Sequence, residues 1–321
     1  MNFVVSYEVI RLPPKWVHPY SLHYDIECNN LYFSDLLNQT INRFDLNDNQ
    51  YYLASIEGDI APSFIIPLEG QKNKFVISDK RTVSIIKWNG IDHTATVIRK
   101  LFTVETEEIN ANNNWNIAKV SPVTCRLYGG TFRGNLCSSE PGGFASLYSY
   151  SKLGGVKRLK SNFKISGGID WNVAKRLFYH IDSCNLVIRE YCWDPKSGKL
   201  SNGRIVYKFD NFGDSGLALL GMTIDKKGYL YAASYLGSDV LKINPRTSKL
   251  VERIKIPAEA VASVTFGGPN LDILFVSTDD RPFNITTGGI STRDISPLSG
   301  SIFMVKGLGS KGYPGRKLCI P

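Results

Sequence analysis

A short apolar strand signal returns along this chain at a nearly even, long spacing, and that period limits the fold more than any other feature. The triplets are Leu31-Tyr32-Phe33, Phe75-Val76-Ile77, Arg126-Leu127-Tyr128, Leu177-Phe178-Tyr179, Leu230-Tyr231-Ala232 and Leu274-Phe275-Val276, their centres 44 to 53 residues apart. Periods of this length mark repeat architectures. A unit of this size is too short to bury a core alone and too rich in strand formers for a helical repeat. The prediction is all-β, a six-bladed β-propeller of small antiparallel sheets around an axis.

Within a unit the pattern reads as hairpins. Leu31–Asp35 is followed by a polar turn and the alternating run Thr40–Asp45, and the same grammar recurs in Arg176–Asp182 with Leu186–Tyr191 and in Tyr229–Ala233 with Asp239–Asn244. Turn residues punctuate the units at Asp194-Pro195-Lys196-Ser197-Gly198 and Asp225-Lys226-Lys227-Gly228. No segment keeps a helical period, so very little helix is expected. No linker or charge block divides the 321 residues, and one domain over 1–321 is the expectation.

Composition narrows the function classes. The chain is 43% hydrophobic and 21% charged, ample for an ordered core. Its net charge of +9 is scattered, with Arg99-Lys100 and Lys157-Arg158-Leu159-Lys160 the densest short runs. A nucleic-acid partner would ask for a concentrated basic face, so none is expected. No stretch of about 20 apolar residues is present and the start lacks a leader pattern, so neither a membrane span nor secretion is expected and a cytoplasmic location is predicted. The six cysteines, Cys28, Cys125, Cys137, Cys184, Cys192 and Cys319, form no CxxC pair and read as reduced thiols. The sequons at Asn38 and Asn284 then read as chance matches.

Several segments together resemble the regucalcin, senescence-marker-protein and gluconolactonase family, which includes the insect luciferin-regenerating enzymes. They are Ser63–Leu68, Ile165–Trp171, Phe178–Ser183, Leu200–Arg204, Gly221–Asp225, Ala262–Asp272 and Val305–Gly312. The resemblance implies a six-bladed propeller with one divalent cation (Ca, Zn, Mg or Mn) at the axis, held by a Glu, an Asn and an Asp, opening a sugar lactone. A Lewis-acid metal suits that reaction because it offsets oxyanion charge and acidifies bound water.

At the positions matching those ligands this chain carries Tyr20, Gly167 and Leu220, the last also standing where the family's base is placed. A neighbouring slip would put Ser21 in place of Tyr20. The family's substrate segment is matched by Asn112–Lys119, leaving Asn114 and Asn116 as pocket candidates with Trp115 beside them. A doubly charged ion stripped of water needs anionic oxygens, which these substitutions remove. The expectation is a propeller without catalytic residues or cofactor that binds an uncharged small molecule. The alternatives are a Ca- or Zn-dependent gluconolactone hydrolase with ligands relocated to Asp25, Asn116 or Asp170, and a calcium-binding regulatory protein.

Other groups read more plainly. His18 and His23 flank the presumed axial turn and offer a different metal or proton-transfer pair, with ordinary loop or strand placement the default. His180 reads as a packed strand histidine, and Asp170 as a hydrogen-bonded structural carboxylate. Neither a phosphate loop nor a Gly-x-Ser-x-Gly elbow is present. The sequence does not specify an oligomeric state.

Overall fold

The structure is a computed structural model that describes residues 6–133, 137, 144–210, 217–284, 289–291 and 295–320. It is an all-β propeller. Among the described residues the only helical element is a 3-10 turn, Glu108–Asn110.

Five hydrogen-bonded sheets make up the ring. Four are four-stranded: β10 (Asn113–Val120) to β13 (Gly155–Phe163), β14 (Ser166–Asn172) to β17 (Leu200–Lys208), β18 (Ala218–Ile224) to β21 (Lys249–Lys255), and a closing sheet. The fifth has eight strands, and this corrects the expectation of six separate sheets. It consists of two antiparallel runs, β2 (Pro19–Asp25) to β5 (Gln50–Ile56) and β6 (Ile65–Pro67) to β9 (Thr94–Thr103). They are joined only where β5 and β9 pair in parallel at Ser55↔Thr94 and Ile56↔Ala95. Two outer strands meeting edge to edge satisfy backbone groups that would otherwise stay open.

Each apolar triplet falls on or against the second strand of a run. These strands are β3 (Asn30–Asp35), β7 (Lys74–Asp79), β11 (Leu127–Arg133), β15 (Leu177–Asp182), β19 (Leu230–Tyr235) and β23 (Ile273–Thr278). The reason is burial on both faces, since a strand one step out from the axis is covered by the sheets before and after it. Packing between successive runs gives six apolar clusters, from Phe64, Val76, Trp115 and Leu127 at one interface to Leu12, Tyr24, Phe33 and Phe275 at the one that closes the circle.

Closure is also covalent and strand-mediated. The closing sheet runs β22 (Val261–Gly267), β23, β24 (Ile302–Lys306) and then β1 (Glu8–Leu12), so the start of the described chain supplies the outer strand of the last sheet. A C-terminal strap, residues 307–320, then crosses the ends of the inner strands. Its hydrogen bonds reach Lys226, Leu271, Tyr24 and Pro67 in turn. Lys317 pairs with Asp25 and Glu27. Cys319 is disulfide-bonded to Cys125, with Cα atoms 5.3 Å apart.

A second disulfide joins Cys137 and Cys184, whose Cα atoms are 5.2 Å apart. The expectation of six reduced thiols is therefore corrected: Cys28 and Cys192 are the free ones. Sequence spacing concealed both bonds, because their partners lie 194 and 47 residues apart. No described helix is long and apolar enough to cross a membrane. The sequon at Asn284 lies partly outside the described residues.

Candidate functional site at the axial mouth

The six inner strands, β2, β6, β10, β14, β18 and β22, set the axis. Pairing with the second strand slips at Tyr20/His23, Trp115/Ile117, Ser166/Ile169, Leu219/Met222 and Val261/Ser263. Bulges add residues to one strand and re-aim side chains. Tyr20, Asn116, Gly167 and Leu220 all sit at these irregularities, which explains how a strand can turn side chains toward the axis without losing its ladder.

Tyr20, Asn116 and Leu220 line one small cavity, of about 50 Å³, at the mouth formed by the N-terminal ends of the inner strands. Its walls are mainly apolar, from Leu36, Phe132, Ile165, Leu220 and Phe283. The Tyr20 hydroxyl donates to Asn116 Oδ1 at 3.0 Å, and Asn116 Nδ2 donates to the Ser166 carbonyl at 3.0 Å. Burial, then the nearby Asp279, pushes the Tyr20 phenol far above its ordinary range, so it stays a neutral donor.

Gly167 offers no side chain, and the direction its Cβ would take is filled by Ser183 Oγ at 2.5 Å and Ile181. Asn114 does not line the cavity; it is half-buried on β10 and donates to the Asn112 carbonyl at 3.3 Å. Trp115 points into the core, where its indole N–H donates to the Arg81 carbonyl at 3.1 Å. The segment is thus a strand, and the irregularity at Asn116 aims that side chain at the cavity while Trp115 stays in the core.

Sequence reasoning missed a buried carboxylate behind the cavity wall. Asp279, fully buried just beyond β23, accepts from the Tyr235 hydroxyl at 2.8 Å and lies 2.8 Å, through the same Oδ2, from His18 Nδ1. Tyr235 Oη in turn accepts from the Phe283 backbone N–H at 2.8 Å. Burial raises the Asp279 carboxyl while the His18 and Tyr235 contacts oppose the rise. No spacing in the sequence links residues 18, 235 and 279; only ring closure brings them together.

His18 and His23 do not form a pair. His18 lines the cavity with Tyr20, whereas His23 lines a second cavity, of about 60 Å³, with Lys119, Asp170, Thr223, Thr265 and the strap residues Tyr313–Arg316. The two lie five positions apart across the Tyr20/His23 irregularity and open into different cavities. Burial holds His23 at about 4, against a partly compensating Asp25. Asp170 accepts from Lys119 Nζ at 2.9 Å and from its neighbour's Trp171 N–H at 2.8 Å, as a structural carboxylate does. His180 is fully buried, its Nε2 2.8 Å from Ser166 Oγ, and burial lowers it to about 3.

The donor set does not fit a hard divalent cation. Leu220 and Gly167 bring no oxygen and the Asn116 carbonyl is engaged by Tyr20, which leaves Asp279, held through Oδ2 by Tyr235 and beside His18 with its buried Oδ1 unpartnered, as a single anionic group where a divalent ion needs several oxygens. Asp25, Asn116 and Asp170 do not converge either: Asn116 lies at one mouth, Asp170 at the other, and Asp25 pairs with Lys317 at 3.2 Å. Among the described residues no cluster of three His, Cys, Asp or Glu side chains is placed to hold a metal.

A propeller with a concave site at one end of its axis defines the general class of protein. Residues 19–280 match the SMP-30/Gluconolactonase/LRE-like region, and the chain belongs to that family. Regucalcin of Danio rerio is 28% identical over 286 residues, covering 89% of each chain, and regucalcin of Bos taurus 29% over 289 residues. A solved luciferin-regenerating enzyme is 30% identical, with a TM-score of 0.85 over 98% of this chain and all of its own. The calcium-binding regucalcin of Agrobacterium tumefaciens superposes with a TM-score of 0.80 at 15% identity, a likeness of fold alone.

Proposed function

We propose that this protein is a gluconolactonase-family propeller that has given up the axial metal and metal-dependent lactone opening, and that the cavity lined by Tyr20, Asn116 and Leu220 binds an uncharged small molecule with a mainly apolar body. One observation carries this reading: the cavity that Tyr20, Asn116 and Leu220 share is walled mainly by apolar groups, and the residues that motif resemblance puts at the family's ligand positions, Tyr20, Gly167 and Leu220, bring no carboxylate to it. A neutral ligand needs no counter-charge there, and the apolar walls supply the affinity. We read the eight-stranded sheet as two blades, giving six, because each of its four-strand runs carries its own triplet strand. The two disulfides support folding in an oxidising compartment rather than the cytoplasm.

The test compares 1-hexanol with hexanoate by thermal shift, and gluconolactone hydrolysis with and without EDTA. The expected outcome is stabilisation by the alcohol, a weaker effect of the anion, and no chelator-sensitive hydrolysis. EDTA-sensitive gluconolactone turnover lost on Asn116→Ala would overturn the proposal.

A further inference from the structure

We propose that His18 and Asp279 form a metal-independent general-base dyad at this cavity, acting on a small uncharged carboxylic ester. The inference rests on the binding reading above and adds chemistry to it. His18 Nδ1 faces the Asp279 carboxylate at 2.8 Å, both residues are buried, the imidazole lines a mainly apolar cavity, and among the described residues no hydrogen bond occupies its other nitrogen, Nε2. This is the relation between base and orienting acid that proton-transfer sites use, recognised by geometry rather than by chain order.

Three features hold the pair. The His18 N–H donates to Asp35 Oδ1 at 2.8 Å and fixes the backbone at the entrance to β2. The ring packs edge-on against Phe283, with centroids 5.3 Å apart, and lies 5.5 Å from the Tyr20 ring. The Tyr235 hydroxyl anchors Asp279 from the end of β19. Among the described residues no acceptor meets Nδ1 along its N–H direction, so the contact is close but imperfectly aligned. Catalytic hydrogen bonds commonly tighten only when a substrate is bound.

The step is a hydrolysis. Water oxygen bonds to the acyl carbon while one water proton passes to His18 Nε2. The acyl carbon–alkoxy oxygen bond then breaks, and that proton leaves with the alcohol. The acid is released and its own proton goes to solvent. Asp279 holds the Nδ1 proton and offsets the transient imidazolium charge, as a positioning residue. Tyr20, a neutral phenol, is the donor nearest to hand for the oxyanion, exchanging Asn116 Oδ1 for it.

The experiment is p-nitrophenyl butyrate hydrolysis in EDTA by the full chain, with His18→Gln, Asp279→Asn and Leu220→Trp variants checked for folding by circular dichroism. Saturable, chelator-insensitive turnover is expected. His18→Gln should lower kcat about 100-fold or more, the scale of a lost general base. Asp279→Asn should lower kcat with KM little changed, a split that loosened packing would not give. Leu220→Trp should raise KM by filling the cavity. Folded wild-type protein that binds 1-hexanol but does not turn the ester over would end the dyad and leave the binding reading standing. Turnover unaffected by His18→Gln would also overturn the dyad. Failure to bind 1-hexanol would remove the binding reading itself.

Discussion

Cutting the strap's covalent anchor has a large expected effect, and the structure sets its size. The Cys125→Ser/Cys319→Ser double variant removes a cross-link between residues 194 apart without leaving an odd thiol. Opening a loop of that length returns about 3 to 5 kcal/mol of chain entropy to the unfolded state. A chain of 321 residues unfolds with an entropy of about 0.7 kcal/mol per kelvin, so the melting midpoint should fall by about 4 to 7 °C. Differential scanning calorimetry without reductant, at one scan rate, reads the shift. Thiol titration in denaturant should find two groups in the wild type, Cys28 and Cys192, and the same two in the variant. Six titrating thiols in the unreduced wild type, or a midpoint moved by less than about 1 °C, would refute the strap as a covalently pinned element.

Three further outcomes follow from particular contacts. Tyr235→Phe removes a hydroxyl that donates to Asp279 and accepts from the Phe283 N–H, so urea unfolding should show a loss of about 1 to 3 kcal/mol. Gly168→Ala places a Cβ 2.5 Å from Met222 N and 2.7 Å from the Leu220 carbonyl oxygen, both backbone, and should lower the midpoint by an amount equivalent to about 1 to 3 kcal/mol. Acid should destabilise the fold through His180, whose folded value is lowered to about 3. Below the unfolded value near 6.5 the unfolded chain takes up a proton that the native chain refuses, so stability falls by about 1.4 kcal/mol per pH unit from about 6.5 down to about 3. His180→Gln should flatten that slope in urea unfolding measured from pH 7 to pH 4.

The ring was legible because its strongest signal is physical: second strands buried on both faces become continuous apolar runs, and these recur once per four strands. Outer-strand joining was not legible, since the β5/β9 pairing rests on two backbone partners and asks nothing of the side chains. The positions Tyr20, Asn116 and Leu220 could be placed at one site from motif resemblance. Asp279, Tyr235 and Phe283 could not, because the contacts that gather them run across ring neighbours 44 or more residues apart. His18 and His23, offered as a pair only beside the default of ordinary placement, are near in sequence yet open into different cavities.

The proposal that matters most is that the axial cavity holds no divalent cation. Elemental analysis of protein purified without added metal or chelator, followed by calorimetric titration with Ca²⁺ and Zn²⁺, tests it directly. The account predicts substoichiometric metal and no saturable heat at the cavity. One equivalent per chain, displaced when Asn116 or Asp279 is replaced, would contradict it.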